Sequence, residues 1–87
     1  MILGTVVGNV VATRKMEQLT GYKFLLVRPE YGDRDKLLVA GDNTLSAGIG
    51  EMVLVTTDQT TQYALDKEVP IDALIVGIVD APPTIQK

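Results

Sequence analysis

Ile2-Leu3-Gly4-Thr5-Val6-Val7-Gly8-Asn9-Val10-Val11-Ala12-Thr13 opens the chain, and its reading decides the fold. Val6, Val7, Val10 and Val11 are β-branched and favour a pleated strand over a helix. Gly4 and Gly8 interrupt that strand. A glycine inside a strand marks a bend, a bulge or a close backbone approach, the devices by which a small sheet curls onto itself. Working outward, four more short runs have the same character. Tyr22 to Val27 reads as a second strand ended by Pro29, and Tyr31-Gly32-Asp33-Arg34-Asp35 as a turn. Lys36 to Gly41 is the third strand, with Asp42-Asn43 as the turn that follows. Met52 to Thr56 is the fourth, and the continuous apolar run Leu74 to Val79 the fifth. That last run suits burial on both faces or against a neighbouring subunit. Between Thr57 and Glu68 the chain is polar and without a period, which predicts a loop carrying at most one helical turn, closed by Pro70.

Five strands joined by turns predict an all-β fold: a small five-stranded OB-like β-barrel, closed or partly open, with a small open sheet as the alternative. Residues 1–80 are expected to form this one domain. Residues 81–87, with Pro82 and Pro83, are expected to form an extended tail. A chain of 87 residues has room for no second domain. At this length folding buries only about 60% of the chain surface, so stability calls for disulfides, metal or partners. The chain has no cysteine and no histidine. Disulfides and the commonest zinc ligands are therefore excluded, and oligomerisation is the remaining support. A hydrophobic fraction of 46% and a mean hydropathy of +0.20 agree with apolar surface covered by another subunit.

The same composition narrows the chemistry. Ser-His-Asp and Cys-His sites cannot be built. Asp42, Glu51, Asp72 and Asp80 could in principle divide acid and base roles, and a small oligomeric enzyme with interface carboxylates is one alternative. Turn capping and solvation are the simpler roles. Glu51, directly after Gly48-Ile49-Gly50, is suited to accepting backbone hydrogen bonds in a tight turn or to an intersubunit pair. Gly48 and Gly50 lack the third glycine of a dinucleotide fingerprint and the Gly-Lys-Ser/Thr of a phosphate loop. Both are expected to supply positive φ, either for an ordinary tight turn or for close approach around a symmetry axis.

A second alternative is an OB-type module binding single-stranded nucleic acid or another ligand. A net charge of −3, a pI near 4.7 and an aromatic content of 5% argue against it. Tyr22 and Phe24 are expected on the core face of their strand, with Lys23 on the other. No basic leader and no long apolar run precede or interrupt the strands, so a cytoplasmic location without membrane contact is expected. No cofactor and no metal are expected.

Several segments in order are similar to one family. Gly4 to Lys15 resembles its opening strand, and Leu19 to Val27 its second segment. Ser46-Ala47-Gly48-Ile49-Gly50-Glu51 is similar to its Gly-Ala-Gly-x-Gly-Glu signature, followed by the valine-rich Met52-Val53-Leu54-Val55. Val69-Pro70-Ile71-Asp72-Ala73-Leu74-Ile75-Val76-Gly77-Ile78-Val79-Asp80 looks like its Pro-Val-Asp-x-x-Ile-x-Gly-Ile-Val-Asp ending. The chain thus resembles the EutN/CcmL family, the vertex proteins of carboxysomes and metabolosomes. The resemblance implies a homopentamer in a bacterial microcompartment shell, capping its vertices beside hexameric shell proteins and performing no catalysis. It also implies that Ser46, Ala47, Gly48, Ile49, Gly50 and Glu51 lie at a subunit interface or five-fold axis. Arg14, Lys15 and Arg28 become candidate contacts to the shell. Two stretches depart from the family: Ser46 stands where glycine is usual, and Asp58-Gln59-Thr60-Thr61-Gln62-Tyr63-Ala64 replaces a Gly-Ser-Ser-Ala-Arg type segment.

Overall fold

A computed structural model describes residues 1–57, 61, 64–65 and 69–86. Most of the expected loop between Thr57 and Glu68 lies outside the described residues; within it Thr61 is helical and its carbonyl accepts from the Ala64 N–H at 3.1 Å, in keeping with the expected helical turn. Five strands appear in chain order: β1 (Ile2–Val10), β2 (Lys23–Pro29), β3 (Leu38–Asp42), β4 (Met52–Thr57) and β5 (Ala73–Val79). They close into a barrel in the order β1-β2-β3-β5-β4. The barrel is therefore closed, and the open-sheet alternative falls away. All neighbours are antiparallel except β3 and β5, which meet in parallel through the Gly41–Leu74 pair.

Strand ends differ from expectation for reasons of pairing. β1 stops at Val10 because its last partner is Phe24, one residue from the start of β2. β2 continues through Pro29, which pairs with Gly4 at the strand end, where a missing N–H costs little. β3 begins two residues later than expected, because Asp33 organises the turn before it: its side chain accepts from the Asp35 N–H and its carbonyl from the Lys36 N–H.

Two β-bulges decide which side chains point inward. In β1 the pairing with β2 slips by one residue between Val6 and Gly8, leaving Val7 as the extra residue. In β5 the pairing with β4 slips where Ile75 faces Val55 and Gly77 faces Leu54, leaving Val76 extra. Each bulge moves the following residues to the other face. This resolves the apolar run of β5: Ala73, Ile75 and, past the bulge, Ile78 pack on the core, while Val76 is exposed. The interior is filled by Val6, Leu25, Val27, Ala40, Val53 and Val55, all at most 1% exposed. Burying each valine or leucine contributes about 1.5–3 kcal/mol.

On β2 the inward residues are Leu25 and Val27, so Lys23 shares their parity and Phe24 lies on the outer wall, half-buried. The expectation that Tyr22 and Phe24 face the core is overturned. Lys23 occupies an inward position at the barrel mouth, where its ammonium has a carbonyl to meet. Burial adds a feature to Thr61, inside the segment expected to be a loop with at most one helical turn. It is fully buried, and its hydroxyl proton is shared between the carbonyls of Thr56 and Asp72, tying that segment to the ends of β4 and β5.

Among the glycines, Gly4 leaves the least room for a side chain. A Cβ there would lie 2.5 Å from Val27 Cγ1 and 2.8 Å from the Arg28 carbonyl oxygen, backbone that cannot give way. At Gly8 the nearest atom would be Leu26 Cδ1 at 3.4 Å. Gly4→Ala is therefore expected to lower stability by about 1–3 kcal/mol, and Gly8→Ala by well under that. Thermal melting of the two variants checks the ranking, and equal melting temperatures would contradict it.

Candidate functional site

The segment from Asp42 to Glu51 runs from the end of β3 to the start of β4 and stops one mouth of the barrel. Asp42 is 2% exposed and accepts two backbone hydrogen bonds, from Leu45 N–H to Oδ1 at 3.0 Å and from Ala47 N–H to Oδ2 at 2.7 Å. Lys23, its register partner across the β2–β3 pair, donates from Nζ to the Ala47 carbonyl at 3.1 Å. Both polar groups of Ala47 are thus held by opposite charges facing each other across two strands, and its methyl joins the core without any exposed surface. Charged partners make such bonds about twice as strong as neutral ones.

Beyond Ala47 the chain makes one tight turn. Glu51 N–H donates to the Gly48 carbonyl at 3.1 Å, closing a four-residue turn with Gly50 in its third position at φ +91°. That is the arrangement of a type II turn, which requires a positive φ there. The Glu51 carboxylate accepts from Gly48 N–H at 2.7 Å, so the expectation that Glu51 anchors backbone in a tight turn holds. Val6 then stitches the turn to the wall: Gly50 N–H donates to its carbonyl at 2.8 Å, and Val6 N–H donates to the Glu51 carbonyl at 2.9 Å. Ile49 is left at the corner, 63% exposed.

The two glycines are not equivalent, contrary to expectation. Gly50 uses a positive φ, whereas Gly48 does not. The second left-handed residue of the segment is instead Ser46, at φ +56°, the sole non-glycine among the described residues with positive φ. It occupies the position where the family signature carries glycine.

The other singled-out residues are distributed as follows. Arg14 and Lys15 are exposed in the connection from β1 to β2, beside a short 3-10 turn at Glu17–Leu19. Arg28 is exposed near the far end of β2, opposite Thr5, so the structure does not bring the three cations together. Of the four carboxylates, Glu51 and Asp80 line one surface hollow between the start of β4 and the end of β5. Asp42 is committed to the segment described above, and Asp72 stands apart before β5. Among the described residues no group of His, Cys, Asp or Glu could hold a metal ion, and no buried side-chain polar atom lacks a partner. Sequence reasoning missed the Asp42–Lys23 clamp. Its signal was the register of β2 against β3, which sets the two residues opposite each other.

The closed order β1-β2-β3-β5-β4 defines the class as a small five-stranded OB-like barrel. The model of the family described as "Ethanolamine utilisation protein EutN/carboxysome" matches residues 1–80, and the chain belongs to this EutN/CcmL family. It is similar to the bacterial microcompartment shell vertex protein GrpN of Rhodospirillum rubrum, 38% identical over 98% of this chain and 99% of that one. It is likewise similar to the carboxysome shell vertex protein CcmL of a Nostoc species, 38% identical over 92% and 83% of the two chains. The solved structure of GrpN, a pentameric shell protein, covers 99% of this chain and all of its own at 37% identity, with a TM-score of 0.81. The chain is accordingly a structural protein of the vertex class, and its place is the microcompartment shell.

Two outcomes test the segment. Asp42→Ala leaves the buried Ala47 N–H without its acceptor and is expected to lower stability by about 2–3 kcal/mol in urea titration. A change below about 0.5 kcal/mol, the scatter of an ordinary surface site, would show that the clamp is idle. Ser46→Gly removes a left-handed conformation that disfavours L-residues by roughly 1–2 kcal/mol, part of which is offset by the freer unfolded chain. Its melting temperature should rise or hold, whereas that of Gly50→Val should fall.

Proposed function

We propose that five copies of this chain close into a ring that sits at a vertex of the shell and supplies the curvature by which a layer of hexameric shell proteins closes. A flat hexagonal layer cannot close on itself, and a unit of five-fold symmetry at each vertex removes the misfit. The function is then a shape and a matching edge, and needs no reacting group. The observation that carries this reading is the end-to-end structural likeness to the pentameric GrpN.

The chain's own physics supports it. An 87-residue barrel whose core is mostly valines and alanines, with Leu25 and Ile75, is marginal by itself, and association is the support open to a chain without cysteine or histidine. In the proposed ring Ser46 to Glu51 face the five-fold axis, where the exposed Ile49 at the corner of the turn gains cover from its neighbours. Arg14, Lys15 and Arg28 are assigned to contacts with neighbouring shell proteins, the first two on one connection and the third on the barrel wall.

Native mass spectrometry checks the ring directly. The expected species has five times the mass of the 9.4-kDa chain. A preparation that holds only monomers or dimers at micromolar concentration would overturn the proposal.

A further inference from the structure

β1 outruns one of its two partners. It pairs with β4 only as far as Thr5, and Val6 is held by the turn at Glu51, whereas its pairing with β2 continues to Val10. At this end of the β1–β2 hairpin lies a surface hollow of about 370 Å³, a size that suits a small molecule. Its apolar lining comes from Val10, Val11 and Phe24 and from the core residue Leu25. In the register Asn9 stands opposite Leu25, and Val10 opposite Phe24, so both strands of the hairpin contribute. Tyr22 forms a further wall, its ring resting against Gly41, where an added Cβ would lie 3.6 Å from Cδ1.

The charged groups of the hollow are Lys15 and Lys23, and no carboxylate lines it. Two other hollows differ. One beside the start of β4 holds Glu51 and Asp80, and one at the opposite end of the barrel holds Asp33 together with Lys36. In a chain of net charge −3, two ammonium groups unopposed at one hollow are a local exception. The local balance is what a bound ion meets, because salt screens exposed charges beyond about 8–10 Å. Lys23 spends one of its three donors on the Ala47 carbonyl and keeps two. The side chains of Asn9, Lys15 and Tyr22 make no hydrogen bond or ion pair with the described residues, so their donors too remain for a ligand.

We infer that this hollow binds a small carboxylate with an apolar body, the carboxylate meeting Lys15 and Lys23 and the body lying against Val10, Val11 and Phe24. An inorganic anion would leave the apolar walls in water, and a neutral molecule of the same shape would gain nothing from the ammonium groups. The site lies within one copy of the chain, so it goes beyond the vertex reading and does not depend on it. Lys15, assigned to a neighbouring shell protein in the proposed vertex, is shared between that contact and the ligand.

Benzoate is the probe, titrated into the full chain in its native oligomeric state with methyl-labelled valine and leucine for NMR. The expected result is a saturable shift of the Val10, Val11 and Leu25 methyl signals with a Kd of about 1–10 mM, the range open to a ligand of so few atoms. Benzyl alcohol and inorganic phosphate at the same concentrations leave those signals in place. Lys15→Gln, on an exposed connection, weakens benzoate binding about two- to fivefold, the measure of one exposed ion pair. Val11→Asp, at a residue 85% exposed, sets a carboxylate beside that of the ligand and abolishes binding. The inference is overturned if benzoate gives no saturable shift in that range, if either variant leaves its binding unchanged, or if benzyl alcohol or phosphate binds as tightly.

Discussion

One extra residue in each of two strands, Val7 in β1 and Val76 in β5, controls what the barrel can bury. A strand alternates its side chains strictly, and a strand that curls around a narrow interior cannot keep one parity facing inward along its whole length. The bulge changes parity at the point where the strand bends. Before Val76 the inward residues of β5 are Ala73 and Ile75, and after it Ile78 packs on the same core. Without the bulge the inward place next to Val53 would fall to Gly77. The cost of the device is a valine pushed outward at each bulge, and this is where the outer wall becomes apolar. Core and exterior are therefore set by the same two residues.

The mouth of the barrel meets a different constraint. Between Asn43 and Gly50 the one buried residue is Ala47, whose methyl joins the core. Holding a residue that small in place takes hydrogen bonds more than area. Asp42 and Lys23 supply them from opposite strands, one taking the N–H and the other donating to the carbonyl. A buried carboxylate is tolerated here because both its oxygens are occupied by backbone donors. The rigid segment that results carries two left-handed residues and leads directly into the tight turn sewn to Val6.

Much of this was legible beforehand, and the misses have physical causes. β-branched runs and turn residues located all five strands, because those signals are local. Glycine interruptions pointed to close approach, and Gly4 bears that out. The facing of β2 was misread because aromatic residues are ordinarily assigned to a core; an inward lysine at a barrel mouth follows from the partner its ammonium finds, which no local pattern states. Asp42 was read as a turn residue and is instead the last residue of β3; its carboxylate holds the turn that follows, through Leu45 and Ala47, and its register partner Lys23 lies on another strand. Gly48 and Gly50 looked alike in sequence and separate only through the hydrogen bond that makes Gly50 the third residue of the turn. Ser46 illustrates the converse: its departure from the family signature pointed to a position of restricted φ, and its backbone is left-handed.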